Sequence, residues 1–378
     1  MQKQQLSTLM QTFLYSIKSK ETQKLYQIMI GYFERWHQKK IEDLLKLEPK
    51  TIDEILVQYI IHMRDKNLSY SSINNRLAPV ATFLSLNDVI VNKKKLKRFM
   101  GEHNKTIKDE AYTHNDLQKM FQHASFRTKL LISIYSSTGI RKRAIIDLKL
   151  KHLEKVENNG IKLYKFTIYE NTKDEYITFC TPECATLIDQ YIEKRKAAGE
   201  KINEESYLVR NEFDFVCSRS NNRIVKKTSI GSLNIIMNKV LFESELRNAN
   251  HFHPNQAEFR NDIDIDKNNK NKNNSYQRHK KASFHAFRKY FTTCLVNCDI
   301  NLLIKRMLMG HKSGLEDSYY RPTEKQLLAE YSKAIKELTI NEENRLRTEL
   351  AVMKEKQDKI DALVSRIQIP EKQYGETK

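Results

Sequence analysis

The stretch HAFRKYFTTCLVNCDINLLIKRMLMGHKSGLEDSYY, residues 285–320, decides how this chain is interpreted. It opens with His285 and Arg288, which are one helical turn apart, so both side chains can project from nearly one face of a helix. A glycine then precedes His311, and Tyr320 follows that histidine by nine residues. The stretch therefore combines two histidines, an arginine and a tyrosine at intervals that a helix and a short connector can bring together.

Two earlier segments add further cations. The sequence Thr138-Gly139-Ile140-Arg141 follows a predicted helix, and Gly139 suits a left-handed cap at the end of that helix. Residues 161–180 alternate as strands do around a polar turn at residues 171–174, which predicts a β-hairpin with Lys173 at its tip. Arg141 and Lys173 thus stand next to predicted breaks in regular structure.

These residue types suit the cleavage of a phosphodiester. Arg141 and Arg288 can each form a forked contact with phosphate oxygens, and such contacts stabilise the charge of a pentacovalent transition state. Tyr320 is the candidate nucleophile. A phenol is a weak nucleophile at neutral pH, so neighbouring cations and a base such as His285 must activate it.

Taken in order, these motifs resemble those of the tyrosine recombinase (phage integrase) family, over about residues 10–335. The resemblance implies that Lys173 is the general acid, that His311 hydrogen-bonds a phosphate oxygen, and that neither a cofactor nor a metal takes part. It also implies a 3′-phosphotyrosyl intermediate and four protomers on two double-stranded DNA attachment sites. Integration of a virus or mobile element is the preferred role. The sequence departs from many members at Ala144, where they carry an acidic residue.

The expected fold is mainly α, with an α+β catalytic domain that contains a small antiparallel sheet. Residues 1–100 are expected to form a helical core-binding (SAM-like) domain, followed by a linker at 101–112. The catalytic domain is expected at 113–338, with a flexible Asn/Lys-rich insertion at 248–281. Residues 339–378 are expected to form a helical tail.

The first hundred residues predict three amphipathic helices. The first spans residues 21–38, with an apolar face on Leu25, Met29, Tyr32, Phe33 and Trp36. Thr51 and Ser69 are the expected caps of the second and third. Several polar and basic residues are candidate DNA contacts: Ser71, Ser72, Asn75, Arg76, Lys93, Lys94, Lys95 and Arg98.

The tail carries a heptad pattern. Apolar residues recur in alternating steps of four and three from Leu346 to Ile367, over three heptads, with Gln357 as one polar core position. Such a tail suits either the assembly of protomers or packing against the body of the chain.

Composition limits the possible partners. The chain has 66 Lys+Arg against 47 Asp+Glu in 378 residues, a formal net charge of +19, which favours nucleic acid as the partner. No apolar run is long enough to cross a membrane, and the N-terminus lacks the features of a signal peptide. Five cysteines, an odd and small number, suit a reducing cytoplasm. With DNA as the expected partner, the expected location is cytoplasmic and nucleoid-associated.

Some alternatives remain open. Tyr319 competes with Tyr320 as the nucleophile, whereas Tyr331 fits the core of a helix whose cap is predicted at Thr323. Lys162 and Lys165 lie on the same predicted hairpin as Lys173. Cys294 and Cys298 suit buried thiols, and His251 with His253 lacks a third metal ligand. At the level of function, a type IB topoisomerase and a DNA-binding regulator without activity are the two alternatives.

Overall fold

The computed structural model describes residues 7–102, 109–158, 160–211, 225–247, 280–312, 314 and 319–368. The chain divides into two compact units, Met1–Thr106 and Ile107–Lys378, each with its own hydrophobic core. Most of the predicted insertion (248–279), including His251 and His253, lies outside the described residues, as does the middle of the predicted linker.

The first unit is helical throughout its described part. Its elements are α1 (Thr8–Ser16), α2 (Lys20–His37), a 3₁₀ turn (Ile41–Lys46), α3 (Pro49–Asp65), α4 (Tyr70–Leu86) and α5 (Lys93–Phe99). Helix α4 packs against α2 and α3, and α5 packs against α3. Phe13, Phe33, Ile60 and Phe83 are completely buried where these helices meet.

Two local predictions in this unit are wrong. Helix α3 begins at Pro49 after Glu48, not after Thr51, because a proline ring already has the backbone angle of a first helical turn. On α2 the buried residues are Ile30 and Phe33, whereas Leu25 is 47% exposed. The cap at Ser69 is confirmed, since its side chain accepts a hydrogen bond from the backbone of Ser72.

The second unit combines helices with one small sheet. Its helices are α6 (His114–His123), α7 (Phe126–Thr138), α8 (Ala144–Asp147), α9 (Pro182–Ala197), α10 (Ile230–Glu243), α11 (Ser283–Asn297), α12 (Leu302–Leu308), α13 (Glu324–Ser332), α14 (Ile335–Leu338) and α15 (Glu342–Gln368). The sheet contains β1 (Leu153–Asn158), β2 (Ile161–Ile168) and β3 (Tyr176–Phe179), in that order and antiparallel. The mainly α fold with a small antiparallel sheet is confirmed.

Helix α7 is the centre of this unit. Every residue from Arg127 to Thr138 except Lys129 is buried, and α6, α9, α10 and α11 pack around the helix. It ends at Gly139, whose φ of 60° is the predicted left-handed cap. The β2–β3 hairpin is where the alternation predicts it, whereas β1 was not predicted.

Two helices after the sheet begin at threonine caps, and the one predicted at Thr323 is confirmed. Thr181 caps α9, whose first residue is Pro182. Thr323 caps α13 in a reciprocal pair with Gln326. Tyr331 on α13 is completely buried, and its hydroxyl donates to the Ser137 carbonyl at 2.9 Å, so it belongs to the core as predicted.

The cysteines of α11 are free thiols, as expected. Cys294 is buried, and Cys298 at the end of the helix is half-buried. Burial raises the pKa of the Cys294 thiol to about 12, so this group is neutral at physiological pH. The thiol therefore behaves as a small apolar side chain in the core.

Candidate active site

The buried guanidinium of Arg288 joins two loops that are distant in sequence. Arg288 lies on α11 and is 7% exposed. Its Nη1 donates to the Gly139 carbonyl at 2.5 Å, in the loop after α7. Its Nη2 donates to the Met309 carbonyl, in the loop after α12, and to Nε2 of His311 at 2.8 Å. We call these two loops, with Arg288 between them, the arginine bracket.

Arg141 stands at the outer side of this bracket. Its side chain is exposed, and its Nη2 donates to the Gly310 carbonyl at 3.3 Å. Guanidinium has five N–H groups, so the other four are available to an anion in the described structure. Ala144, at the position of the expected acidic residue, is buried, and its N–H donates to the Arg141 carbonyl at 2.9 Å. That backbone bond holds the Arg141 loop without a carboxylate.

The two loops can approach because both turn at glycine. Gly139 and Gly310 each have a φ of 60°. A Cβ at Gly139 would lie 2.3 Å from the Phe291 ring, and one at Gly310 would lie 2.4 Å from the Tyr176 ring. Any side chain at either position would therefore strain the backbone and displace an aromatic ring. The glycines place the carbonyls that the two arginines bind.

His311 is neutral in this arrangement. Burial, and then the charges of Arg288 and Arg141, lower the pKa of His311 below its usual value of 6.5. Because arginine has no acceptor, Nε2 of His311 must be the acceptor in its bond with Arg288. The proton of the neutral ring then sits on Nδ1, which can donate to an anion beside Arg141.

Lys173 lies on the exposed turn between β2 and β3. The next residue, Asp174, forms an ion pair with Lys312 at 2.9 Å, which ties this turn to the segment that carries His311. The hydrogen bond from Lys312 lowers the pKa of Asp174, and the charges of Lys173 and Arg141 contribute to the same shift. The lysine turn and the arginine bracket are therefore neighbours.

The rival lysines are placed differently. Lys165 is buried on β2, with ion pairs to Glu154 at 2.5 Å and to Glu324 at 2.9 Å. Lys162 is exposed near the start of the same strand, at the far end from the turn. Lys165 is engaged in holding α13 on the sheet, which leaves Lys173 as the better candidate acid.

His285 and Tyr320 are near the core but outside the hydrogen-bond network. His285 is exposed on the first turn of α11, one turn before Arg288. Tyr320 is half-buried on the connector before α13 and packs against the core, whereas Tyr319 is 87% exposed. Among the described residues, no hydrogen bond joins His285, Tyr320 or Lys173 to the arginine bracket.

The arrangement supplies a compact cationic site without a nucleophile fixed in it. Arg141 and the Nδ1 proton of His311 can contact a tetrahedral anion. Three of the five N–H groups of Arg288 are already used within the protein. Two of these groups bind carbonyls and so hold the loops that carry Arg141 and His311, whereas the contact of Arg288 with phosphate stays a prediction.

The candidate DNA contacts of the first unit lie on α4 and α5. Of the four on α4, Ser71, Ser72 and Asn75 are exposed, whereas Arg76 is half-buried with its guanidinium 4.8 Å from the Tyr32 ring centre. On α5, Lys93, Lys94 and Arg98 are exposed and Lys95 is half-buried. A cavity of about 560 Å³ separates the two helices, with Lys93 at its edge.

Three functional features were not predicted from sequence. They are the carbonyls of Gly139 and Met309 as partners of Arg288, the Tyr176 ring beneath Gly310, and the pair of Asp174 with Lys312. Only the carbonyl partners of Arg288 had any signal in the sequence, namely the glycines of the Thr-Gly and Gly-His motifs. In the part of the chain that the structure describes, no group of three or more His, Cys, Asp or Glu residues is arranged to hold a metal, and no helix could span a membrane.

Comparison with known families and solved structures covers the region that contains the candidate site residues. The model of the phage integrase family matches residues 108–326. The fold is similar to that of the XerH site-specific recombinase bound to palindromic difH substrate in a post-cleavage complex, with a TM-score of 0.51 and 16% identity over 79% of this chain and 74% of that one.

Two further solved structures are similar at lower TM-scores. A Tn1549 transposon integrase in complex with circular intermediate DNA has a TM-score of 0.49 and 17% identity, over 86% of this chain and 99% of that one. A lambda integrase dimer bound to a core site also has a TM-score of 0.49, with 12% identity over 84% of this chain and 95% of that one. No curated protein sequence matches the chain.

Proposed function

Since the chain belongs to the phage integrase family, we propose that it is a site-specific tyrosine recombinase that cuts and rejoins duplex DNA through a 3′-phosphotyrosyl intermediate. The observation that carries the proposal is the arginine bracket. It joins Arg141, Arg288 and His311, from three separate motifs, into one cationic site.

Cleavage needs one nucleophile and two proton transfers. The Tyr320 hydroxyl attacks phosphorus and its proton passes to a base, for which His285 is the candidate. The bond between phosphorus and the 5′ oxygen breaks, and Lys173 gives its proton to that leaving oxygen. Arg141 and the Nδ1 proton of His311 stabilise the charge on the non-bridging oxygens.

Joining reverses these steps. A 5′ hydroxyl from another strand returns its proton to Lys173 and attacks the phosphotyrosine, and Tyr320 leaves as a phenol. Because the phosphotyrosine keeps the energy of the broken bond, resealing needs no ATP. A nucleophile outside the hydrogen-bond network suits this cycle, since it must join and leave the phosphate once in each round.

The remaining parts of the chain suit the handling of DNA. We propose that residues 1–100 bind duplex DNA through the exposed polar and basic residues of α4 and α5, followed by a linker at 101–112 and a catalytic domain at 113–338. We also propose that four protomers act on two attachment sites, on DNA in the cytoplasm, and that the biological role is to integrate or excise a mobile element. The net charge of +19 supports the DNA partner.

The direct test is a suicide substrate whose nick lets the cleaved strand diffuse away. Incubation with the full chain should trap a covalent protein–DNA complex, and mass spectrometry of the digested complex should place the nucleotide on Tyr320. Cleavage restricted to one attachment sequence supports a recombinase, whereas equal trapping on any plasmid would indicate a type IB topoisomerase. Binding with no trapped complex on any substrate would leave a DNA-binding regulator as the better reading.

A further inference from the structure

Helix α15 presents an apolar stripe that stays exposed in the part of the chain that the structure describes. Its core heptad positions are exposed by 45–66%: Leu346, Leu350, Met353, Ile360 and Val364. They follow one another in steps of four and three, or of seven across Gln357, so they form one continuous seam along the helix. A stripe of this width on one helix matches the contact face of a two-stranded coiled coil.

The opposite side of α15 is already occupied. Val352 packs against the core of the second unit. The side chain of Asn344, on the same side, donates to Glu183 at 3.1 Å. The body therefore holds the helix by the side away from the seam and leaves the seam to another partner.

The charges beside the seam identify that partner as a second copy of α15 in parallel orientation. The a positions of the heptad are Leu350, Gln357 and Val364, with Glu343 one heptad earlier. In a parallel pair, the residue just before each a position lies beside the residue five positions later on the other helix. Here Glu342 would face the partner's Arg347 and Lys356 the partner's Asp361. Glu349, which also pairs with Lys336 of its own chain, would face the partner's Lys354. Each of the three contacts joins opposite charges, and symmetry repeats each of them.

The polar core position supports the same orientation. In a parallel pair Gln357 meets the partner's Gln357, and two amides can hydrogen-bond each other. In an antiparallel pair with its seam in register, Gln357 would instead face the partner's Met353, which cannot satisfy a buried amide. Two copies of α15 are therefore complementary in the parallel orientation and not in the antiparallel one.

We propose that two copies of this chain associate through α15 as a parallel two-stranded coiled coil before they meet DNA. The inference does not rest on the chemistry of Tyr320. Because three heptads form a short coiled coil, the association is weak and depends on concentration. A parallel pair places both bodies at the same end of the coil.

Sedimentation or light scattering of the full chain without DNA measures this association. The mass should rise from 44.8 kDa towards twice that value as the protein concentration rises. Two charge-reversed variants then test the pairing. One carries Arg347→Glu with Lys354→Glu, and the other carries Glu342→Lys with Glu349→Lys. Each alone places like charges at four of the six contacts and should remain monomeric.

An equimolar mixture of the two variants should recover the dimer, because the lysines of one then face the glutamates of the other. The matched control is Lys359→Glu with Arg366→Glu, which changes the net charge by the same amount as the first variant but away from the seam. It should dimerise as the unaltered chain does.

Orientation is tested by Leu346→Cys under mild oxidation, with the unaltered chain as the control for native cysteines. A parallel pair should form a cross-linked dimer, because the two sulfurs lie in one core layer. Persistence of the monomer at every concentration, dimers of the separate variants, or failure of the mixture to recover the dimer would each overturn the proposal. Absence of the cross-link in a dimeric protein would overturn the parallel orientation.

Discussion

Arg288 and Tyr320 belong to one proposed reaction, but the fold treats them differently. Arg288 is 7% exposed and donates hydrogen bonds to two carbonyls and to a histidine. Tyr320 is half-buried on a connector and, within the described residues, makes no hydrogen bond to that cluster. In the proposed reaction, folding would therefore fix the groups that bind phosphate, whereas the nucleophile would move to them.

The largest effect on cleavage should come from changing the proposed nucleophile. Tyr320→Phe removes one hydroxyl from a side chain outside the hydrogen-bond network, so DNA binding should be unchanged and covalent complex should be absent from gels of suicide-substrate reactions. Tyr319→Phe is the matched control and should form the complex normally. If the two results were exchanged, the assigned nucleophile would be wrong by one residue.

The next effect should come from the bracket itself. Arg288→Lys cannot reproduce the fork that holds both carbonyls, so single-turnover cleavage should fall by about 10²- to 10³-fold. The free energy of unfolding should also fall, by about 2–4 kcal/mol, because buried carbonyls lose their donors. Urea denaturation measures the second effect.

Arg141→Lys is the comparison for that variant. Arg141 is exposed, so the same chemical change should slow cleavage but alter the free energy of unfolding by less than about 0.5 kcal/mol. Equal losses of stability in the two variants would contradict the distinct role assigned to Arg288.

A smaller loss of rate should follow from removing the candidate acid. Lys173→Ala should slow cleavage by about 10²-fold, because the leaving 5′ oxygen then departs without a proton. A substrate with sulfur in place of that bridging oxygen should restore most of the rate, since a thiolate leaves without protonation. Lys162→Ala, a lysine near the far end of β2, should behave as the unaltered chain on both substrates.

The glycine turns predict a loss of stability. Gly310→Ala combines a left-handed backbone with a Cβ 2.4 Å from the Tyr176 ring, so the free energy of unfolding should fall by about 2–5 kcal/mol. Gly314→Ala has the same backbone strain, with a φ of 71°, but open space around it, so about 1–2 kcal/mol is expected. Chemical denaturation of both variants isolates the effect of the clash.

The smallest effect concerns pH. The folded pKa of His311 lies below 6.5 because of burial and the charges of Arg288 and Arg141, so the unfolded chain takes up this proton first as the pH falls. The stability that neutral His311 contributes is therefore complete above pH 6.5 and is lost as the pH falls below it.

His311→Gln should remove that contribution, so its melting temperature should depend less on pH than that of the unaltered chain. His37, His114 and His152 also have lowered pKa values but are common to both proteins, so the difference isolates His311. Parallel melting curves at every pH would show that His311 does not titrate in this way.

Local signals in the sequence predicted local structure well. Ser69, Gly139 and Thr323 act through bonds to residues within a turn of themselves, and each is where the sequence predicts it. Thr51 failed because Pro49 competes for the same helix start. Leu25 failed because α2 also carries Ile30, and nothing in the sequence tells whether the side with Leu25 or the side with Ile30 meets the core.

At the candidate site, contacts between segments that are distant in sequence could not be predicted. The spacing of the motifs predicted six candidate residues, and the structure joins three of them, Arg141, Arg288 and His311. Spacing does not reveal that the partners of Arg288 are carbonyls of Gly139 and Met309, because those contacts depend on how three helices pack. The roles of Lys173, His285 and Tyr320 remain predictions that the experiments above test.

The arginine bracket also determines at which step the chain loses the conformational entropy of the site. Fixing two loops and a long side chain costs conformational entropy. Here that entropy is lost when the core folds, before any substrate arrives. DNA therefore meets a preorganised cationic site, and its binding energy remains available for bending, pairing and sequence choice. Activity therefore depends on folding, because a substitution that loosens α11 lowers both the rate of DNA cleavage and the half-life of the protein.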